Sequence, residues 1–417
     1  MRPEPSEVGA GGAANAPSHE TSAPPAGEPE TRIGDVDTLR ALAMTSVIAQ
    51  HCKILPFGWM GVWLFFVISG FVVTTSLLSR GAGDPPPVLL RSFYLRRAAR
   101  IWPIYWAYVA VGFGLSVLAA GPANWPAFAS LLFFYNNFQS AFGRGTFEGF
   151  PVGHLWTISV EFQFYIVFGL AFAFLSRRAL VALLTAFLAA APILRFVGGL
   201  WLSAADFSPL RAAFAIYSFS PMHFDAFAAG ALLALGRRRW AEPARARLLL
   251  MLGAMALIAY VGVYLAVNRG HGAAGLAMFR NILSGVLFGD QREVWLYSAV
   301  DLMSVGVLAT TLSPHAPWAR LVRSPLLQGV GQASYGGYVY HVLCLQWTRG
   351  LLTLVVSPGA TMARKLEFGA LHFALALPLV VVVAILSYRY VERPIIRWAG
   401  RRLAARAAPP GPSLALP

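Results

Sequence analysis

The chain has 417 residues, of which 57% are hydrophobic and 12% charged, against roughly 45–50% apolar and 25% charged residues in an average soluble domain. With a mean hydropathy of +0.60, this composition excludes an ordinary soluble protein and indicates a polytopic membrane protein. The net charge of +15 does not indicate binding to nucleic acid, because the basic residues cluster in short segments between apolar runs.

The two ends of the chain differ in composition from its centre. Residues 1–31 are rich in Pro, Gly, Ala and Glu without an apolar core, which predicts a disordered cytoplasmic tail. No cleavable secretory signal is present, so we expect the first span to direct insertion. A transmembrane domain is predicted over 32–398 and a second disordered cytoplasmic tail over 399–417. The cysteines, Cys52 and Cys344, indicate neither a disulfide framework nor a metal site.

Apolar windows of about 20 residues predict an all-α fold, a polytopic transmembrane helical bundle of about ten spans. Two further apolar segments, 126–138 and 274–289, are shorter, and we interpret them as interfacial or re-entrant. No internal repeat is visible, which disfavours an inverted-repeat transporter. The predicted spans are roughly 36–55, 58–79, 101–121, 155–175, 179–199, 213–235, 247–267, 295–312, 326–354 and 369–390.

Short arginine-rich segments predict the orientation of the bundle. Such segments follow the second, fourth, sixth, eighth and tenth predicted spans, so all five lie on the same side. The positive-inside rule makes that side cytoplasmic. With ten helices, the N- and C-termini are cytoplasmic too, whereas a miscounted helix would place some of the clusters outside.

The first span carries ionisable residues at both ends. Arg40 stands near its cytoplasmic entrance, and His51 follows eleven residues later in RALAMTSVIAQH. Eleven residues are close to three helical turns, so the two side chains share nearly one face about 16 Å apart along the axis. An ionisable side chain in a span costs several kcal/mol and normally faces a protein or water-filled interior. The alternative is that His51 is an ordinary interfacial histidine.

A carboxylate in span four is predicted at a depth similar to that of His51. Glu161, in HLWTISVEFQFY, lies about 10 Å below the outer surface. A carboxylate there could orient and charge-stabilise an imidazole that acts as a general base. A structural ion pair or a protonated buried glutamate is the alternative. Asp225 and His341 fall near the middle of spans six and nine, where each could also be a polar packing group.

The segment RSFYLRRAARIWP is the strongest basic signal in the chain. Arg97 and Arg100 share a helix face at a spacing of three residues, and aromatic residues surround them. Guanidinium groups bind phosphate bidentately and aromatic rings stack on flat rings, so the segment suits a phosphorylated, nucleotide-bearing ligand in the cytosol. The alternative is a topology signal that also contacts anionic lipid headgroups.

Span two begins with GWMGVWLFFVISGF, whose glycines permit close helix packing. Ser69 lies within this segment but lacks the G-x-S-x-G motif of a nucleophilic serine. We therefore treat Ser69, together with Asp225, His341, Tyr338 and His154, as a candidate for contacts with an acceptor or for support of the catalytic residues.

Seven motifs in order resemble membrane acyltransferase family 3, whose members O-acylate surface glycans, lipopolysaccharide, peptidoglycan or secondary metabolites. They are TRIGDVDTLRALA…H, GVWLFFVISGF, FYLRRAARIWP, HLWTISVEFQFY, FDAFAAGALLA, SYGGYVYH and SYRYVERP, and they cover about Arg32 to Arg397. The resemblance implies that His51 is the essential catalytic histidine. It also implies that the Arg-x-x-Arg pair, Arg97 and Arg100, engages the acyl donor, most often acetyl-CoA.

The chain departs from the family pattern at three positions. Trp63 stands where a polar residue is common, His223 where arginine is common, and Thr157 where serine is usual, which keeps the hydroxyl. Some members also carry an appended extracytoplasmic domain. The short sequence after Val391 leads us to expect the stand-alone transmembrane form.

The sequence therefore predicts an integral membrane O-acyltransferase of the cell inner (plasma) membrane. It would transfer acetyl or another short acyl group from acyl-CoA to a hydroxyl of a glycan, glycolipid or hydroxylated metabolite. His51 and Glu161 are assigned to catalysis and Arg40, Arg97 and Arg100 to the donor. No metal, bound cofactor or nucleic-acid partner is expected. Either His51 acts as general base or it forms a covalent acyl intermediate.

Two other classes of function stay open. A transporter or flippase of a lipid-linked glycan would use the intramembrane acidic residues and histidines as a proton relay. A membrane partner or sensor without catalytic activity would not depend on His51 for acylation. The identities of the acceptor and the acyl chain are not specified by the sequence.

Overall fold

A computed structural model describes residues 34–80, 83–120, 123–142, 146–313 and 317–407. The predicted tail 1–31 and residues 408–417 lie outside these ranges. The described residues are almost entirely helical, and β-structure among them is limited to an isolated bridge between Phe147 and Phe150. The all-α fold is therefore confirmed.

The described residues form seventeen α-helices. In chain order they are α1 Gly34–His51, α2 Met60–Arg80, α3 Pro86–Ala120, α4 Trp125–Leu132, α5 Asn136–Ala141, α6 Trp156–Phe174, α7 Arg177–Ala204, α8 Pro209–Ser218, α9 Phe224–Leu235, α10 Arg237–Trp240, α11 Pro243–Gly270, α12 Arg292–Thr311, α13 Ala319–Val322, α14 Pro325–Gln332, α15 Ser334–Thr353, α16 Met362–Ser387 and α17 Arg393–Ala407.

Seven helical stretches in the described part of the chain are long and apolar enough to cross a membrane. They correspond to seven of the ten predicted spans, whereas α1, α8 with α9, and α14 with α15 are shorter or less apolar. The count of ten and the side of the termini stay predictions. The seven stretches are Met60–Ser79, Pro86–Ala119, Gly153–Phe174, Arg177–Ala204, Pro243–Gly270, Arg292–Thr311 and Met362–Ala404.

Two predicted spans are interrupted rather than continuous. The sixth is broken between α8 and α9 by a single 3₁₀ turn, Ser220–Met222, where Pro221 has no backbone N–H to donate. The ninth is split at Ala333, between α14 and α15. The segments predicted to be interfacial or re-entrant contain only the short helices α4 and α5 and a 3₁₀ turn, Gly275–Phe279.

The predicted C-terminal tail is wrong over 399–407. After a π-helical turn at Tyr388–Glu392, the chain continues as α17 to Ala407. This segment is rich in Ala and Arg, which are good helix formers, and Ala399 is buried in α17, which packs against α3. Helix propensity and packing thus extend the helix beyond the apolar window.

The arginine cluster of RSFYLRRAARIWP lies inside the long helix α3. Helix α3 has 35 residues and is therefore about 52 Å long, well beyond the roughly 30 Å of a hydrocarbon core. It begins with Pro86 and Pro87, a residue type that suits the first turn of a helix. The arginines therefore project from a helix that continues, past Pro103, into its own apolar part.

Helices α2 and α9 approach each other through a reciprocal pair of glycines. A Cβ on Gly70 would collide with the backbone carbonyl of Phe227, and a Cβ on Gly230 would collide with that of Val67. Gly61 lies in the same way against the carbonyl of Ala43 in α1. These contacts explain the glycines of the GWMGVWLFFVISGF segment as backbone-to-backbone packing positions.

Candidate active site

A cavity of about 60 Å³ lies between α1, α2, α3, α6 and α15. Its walls combine two arginines, a carboxylate, hydroxyl groups and aromatic rings. The polar residues lining it are Arg40, Ser69, Arg100, Thr157, Glu161, Tyr165, Ser334, Tyr335 and Tyr338. Four residues of the sequence prediction, Arg40, Ser69, Arg100 and Glu161, therefore meet in one place, although they come from four different helices. Tyr338 joins them from α15.

Glu161 accepts two hydrogen bonds from other residues that line this cavity. Its Oε1 atom accepts a hydrogen bond from Ser69 and another from the Tyr165 hydroxyl at 2.5 Å. The Ser69 Oγ atom also lies 2.8 Å from the Tyr165 hydroxyl oxygen, which closes a triangle of polar atoms. Tyr165 follows Glu161 by one helical turn in α6, so the helix period itself places the two side chains on one face.

The three predicted donor-binding arginines occupy different positions around Glu161. Arg40 and Arg100 line the cavity directly, and Arg40 is 3.7 Å from Asp37 in an ion pair one turn away on α1. Arg97 does not line the cavity. Its guanidinium carbon lies 5.8 Å from the centre of the ring of Tyr165, which does. This cation–π contact connects Arg97 to Glu161 through the Tyr165 hydroxyl.

Tyr338 separates the cavity from a second polar region. Its side chain lines the cavity, and its hydroxyl accepts a hydrogen bond from Thr157 at 2.8 Å and donates to the His154 carbonyl at 3.2 Å. On its other side the Tyr338 ring lies 5.1 Å from the His341 ring, centre to centre. Thr157, the threonine that replaces the usual serine, thus uses its hydroxyl to hold this wall.

Three histidines converge beyond Tyr338, and we call them the histidine cluster: His51, His154 and His341. The His51 and His341 ring centres are 5.2 Å apart, and those of His154 and His341 are 4.9 Å apart. His341 is buried, His154 is partly buried and His51 is exposed. In the described ranges, no group of three or more His, Cys, Asp or Glu side chains has a geometry that could hold a metal ion.

The structure does not bring Glu161 into contact with His51. Glu161 contacts Ser69 and Tyr165 in the cavity, whereas His51, at the end of α1, contacts His341. The Tyr338 wall contacts both groups: it lines the cavity together with Glu161, and its ring lies 5.1 Å from that of His341, the neighbour of His51. The proposed action of Glu161 on the His51 imidazole would therefore have to pass through that wall.

Asp225 belongs to a third polar group, distinct from the cavity and the histidine cluster. It forms a buried ion pair of 2.8 Å with Arg195, which also donates to the Met222 carbonyl at 2.6 Å and to Ser298 at 2.9 Å. Asp301 is buried on the neighbouring α12. A buried pair of this kind is strongly destabilising to break, by about 3–5 kcal/mol, because one charge is left uncompensated.

Arg195 and Asp301 are not among the residues predicted from the sequence, although the sequence carries a signal for both. Each is an ionisable residue inside a predicted span, which is the criterion that selected His51 and Glu161. Arg195 also supplies the guanidinium next to Asp225, where His223 replaces the usual arginine. His223 instead donates its Nε2–H to the Ile216 carbonyl oxygen at 3.0 Å, and its ring centre lies 5.0 Å from that of Trp63.

Comparison with known proteins gives the family. The sequence model described as "Acyltransferase domain" matches residues 33–389, most of the chain. The chain belongs to this acyltransferase family. The resemblance stated from the seven motifs is confirmed, and so is the enzyme class. With its apolar helices, this family member is a multi-pass membrane protein.

Two relatives of this acyltransferase are named as O-acetyltransferases. A Staphylococcus aureus (strain COL) protein named "Putative O-acetyltransferase" is 24% identical over 385 residues, 87% of this chain and 57% of its own length. "Peptidoglycan O-acetyltransferase OatA" of Listeria monocytogenes (strain EGD-e) is 25% identical over 384 residues, 87% of this chain and 56% of its own length. The chain thus spans a little over half the length of these relatives. No solved structure matches it.

Proposed function

We propose that this acyltransferase moves an acetyl or other short acyl group from acyl-CoA to a hydroxyl of a glycan, glycolipid or hydroxylated metabolite at the bacterial plasma (inner) membrane. The observation that carries the proposal is the pairing of an arginine-lined cavity with an exposed histidine across one wall, Tyr338. The family and the names of its O-acetyltransferase relatives support transfer to oxygen.

The cavity fits the acyl end of a donor better than its nucleotide. A volume of about 60 Å³ is of the order of a small group such as an acetyl and is far too small for a nucleotide. Arg40 and Arg100 give the cavity two positive charges against the single carboxylate of Glu161. Arg97, on the same face of α3 as Arg100, would meet donor phosphates outside the cavity.

In the proposed mechanism, His51 acts as the general base. It takes the proton of the acceptor hydroxyl while the oxygen attacks the thioester carbonyl carbon, a step that requires the thioester to reach past Tyr338 from the cavity to His51. The carbon–oxygen bond forms, the carbon–sulfur bond breaks, and the His51 imidazolium returns the proton to the departing CoA thiolate. Because His51 lies about 16 Å along α1 from Arg40, donor and acceptor could approach from opposite ends of that helix.

The alternative mechanism passes the acyl group through His51 itself. A covalent acyl-histidine would form before the acceptor binds, so radiolabelled acyl-CoA without acceptor distinguishes the two. Label that is retained on the wild-type chain and lost in His51→Ala supports the covalent relay. A chain that turns over normally but holds no label in a single turnover uses direct transfer.

The function is tested by the mass of surface glycans and metabolites in three strains: wild type, deletion, and deletion complemented with His51→Ala. We expect the deletion and the His51→Ala strain to lack the same acyl units, which the wild type carries. Unchanged product mass with an accumulated lipid-linked precursor would favour transport instead. A His51→Ala strain with fully acylated product would reject the catalytic role and favour a sensor.

A further inference from the structure

The histidine cluster contains more hydrogen-bonding capacity than a single general base requires. Two of its members, His154 and His341, are held by backbone carbonyls on α15, and each still has one unpartnered ring nitrogen. A buried polar nitrogen without a partner costs about 1–3 kcal/mol, so its retention calls for a functional reason.

The partners of His341 determine which of its nitrogens carries the proton. Its Nδ1 atom lies 2.6 Å from the Tyr338 carbonyl oxygen. A carbonyl oxygen can only accept, so Nδ1 carries the hydrogen, and in a neutral ring Nε2 is then an acceptor with a free lone pair. This Nε2 atom is buried and has no hydrogen-bond partner among the described residues.

His154 is fixed in the opposite tautomer. Its Nε2 atom lies 2.9 Å from the Val339 carbonyl oxygen, so Nε2 donates and the buried, unpartnered Nδ1 is the acceptor. Two neighbouring neutral rings therefore both present lone pairs, and neither can donate to the other. Neither ring has an N–H left for the other ring's free nitrogen. His51, the third ring of the cluster, has an N–H that could serve as this donor.

The spacing of His51 and His341 fits a hydrogen bond between the rings. A hydrogen bond spans about 3 Å between heavy atoms and an imidazole nitrogen lies about 1 Å from its ring centre, so bonded rings have centres about 5 Å apart. The observed separation is 5.2 Å, with an angle of 55° between the ring planes. A side-chain rotation of the exposed His51 would align the two nitrogens.

We propose that His341 is a positioning residue whose Nε2 atom accepts the ring N–H of His51. This bond would fix the His51 tautomer and leave its other nitrogen as the base. It would also share the positive charge of the imidazolium that forms when the acceptor hydroxyl is deprotonated. The inference rests on the proposed function and adds to it the group that orients the base. His154 keeps the His341 ring in place by edge-to-face packing.

A complementary pair of substitutions separates the two nitrogens of His341. In His341→Asn, the side-chain amide keeps a donor near the Nδ1 position for the Tyr338 carbonyl but removes the acceptor at the Nε2 position. In His341→Gln, an amide oxygen replaces Nε2 as acceptor, and the anchor on Tyr338 is lost. We expect His341→Asn to lower kcat about 100-fold with little change in donor KM, and His341→Gln to lower it less.

The matched control is His372→Asn. His372 is also a buried histidine that contacts a backbone carbonyl, that of Leu345 at 3.0 Å, but it lies on α16 outside the cluster. We expect wild-type kcat and donor KM for this variant. If His341→Asn keeps kcat within threefold of wild type, or if His341→Gln loses more activity than His341→Asn, the positioning role is rejected.

A second measurement does not depend on the folding of any His341 variant. In the full chain labelled with ¹⁵N-histidine, nuclear magnetic resonance reports the unprotonated Nε2 of His341 directly. We expect this signal to shift in His51→Ala, because the donor has been removed, and an unchanged signal would overturn the proposal. If the wild-type chain transfers no acyl group at all, the proposed function fails while this spectroscopic test still decides the hydrogen bond.

Discussion

The cavity and the histidine cluster lie side by side but differ in how their polar groups are satisfied. In the cavity, Glu161 accepts from Ser69 and Tyr165, and Arg40 is paired with Asp37. In the cluster, His154 and His341 each leave a buried nitrogen without a partner. The cavity is therefore prepared to hold a polar ligand with little rearrangement, whereas the cluster is prepared to accept a hydrogen bond or a proton.

The largest effect should come from His51→Ala, which removes the base but leaves the cavity intact. A positioned general base contributes about 10²–10⁴-fold, so we expect kcat to fall by about 10³-fold with donor KM nearly unchanged. Steady-state transfer with varied acyl-CoA measures both quantities. The control is His271→Ala, another exposed histidine, which lies outside both regions. If His51→Ala keeps its activity within a few-fold of wild type, the histidine cluster does not supply the general base.

Glu161→Gln tests to which region the carboxylate belongs. Hydrogen bonds to a charged group are worth about 1.5–3 kcal/mol, so we expect kcat/KM for the donor to fall roughly 10- to 100-fold. Because Glu161 contacts cavity residues, the loss should appear mainly in donor KM. A loss confined to kcat at saturating donor, with donor binding intact, would instead assign Glu161 to His51, as the sequence predicted.

Arg97→Ala should weaken donor binding by about tenfold, since it removes both a phosphate ligand and the guanidinium over Tyr165. Acceptor KM should stay unchanged. Arg91→Ala is the matched control, because Arg91 is an exposed arginine on the same helix. Arg97→Lys keeps the charge but not the planar stacking, so it should restore donor binding only in part. Equal effects on donor and acceptor would contradict the assignment.

Ser69→Ala should have the smallest effect. It removes one of two hydroxyl donors to Glu161, and the Tyr165 hydroxyl remains, so a loss of about 1 kcal/mol or roughly fivefold in donor kcat/KM is expected. Ser79→Ala, an exposed serine on the same helix, is the control. A loss as large as that of His51→Ala would show that Ser69 takes part in the chemistry and not only in holding the carboxylate.

Several residues singled out from the sequence lie together in the structure, but not in the grouping that the sequence predicted. Arg40 and His51 lie on one helix, as helical periodicity required, and Glu161 meets Ser69 as well as two of the arginines. Depth along a span could be estimated from residue counts at about 1.5 Å per residue. The direction in which each side chain faces depends on helix packing, which a single sequence does not contain. The predicted pairing of Glu161 with His51 is therefore not what the structure shows, since Glu161 contacts Ser69 and Tyr165.

The convergence of the histidines was beyond the reach of sequence patterns for a related reason. His154 lies in the short turn Gly153–Leu155 before α6, and His341 lies on α15, nearly two hundred positions later. Both histidines donate to backbone carbonyls of α15. Every residue has a backbone carbonyl, so the sequence does not indicate which one a histidine will contact. The interruption before α9, by contrast, had a local signal in the proline of SPMH.

The reciprocal glycines of α2 and α9 have a mechanical consequence for ligand entry. Since each backbone rests on the other at Gly70 and Gly230, these two helices cannot slide or tilt independently without a clash. Ser69 is adjacent to Gly70, so its position is tied to this close contact between α2 and α9. Any widening of the 60 Å³ cavity must then come from α1, α3, α6 or α15. On ligand entry, the α2–α9 pair would keep its position, and the side of the cavity that contains Tyr338 would move.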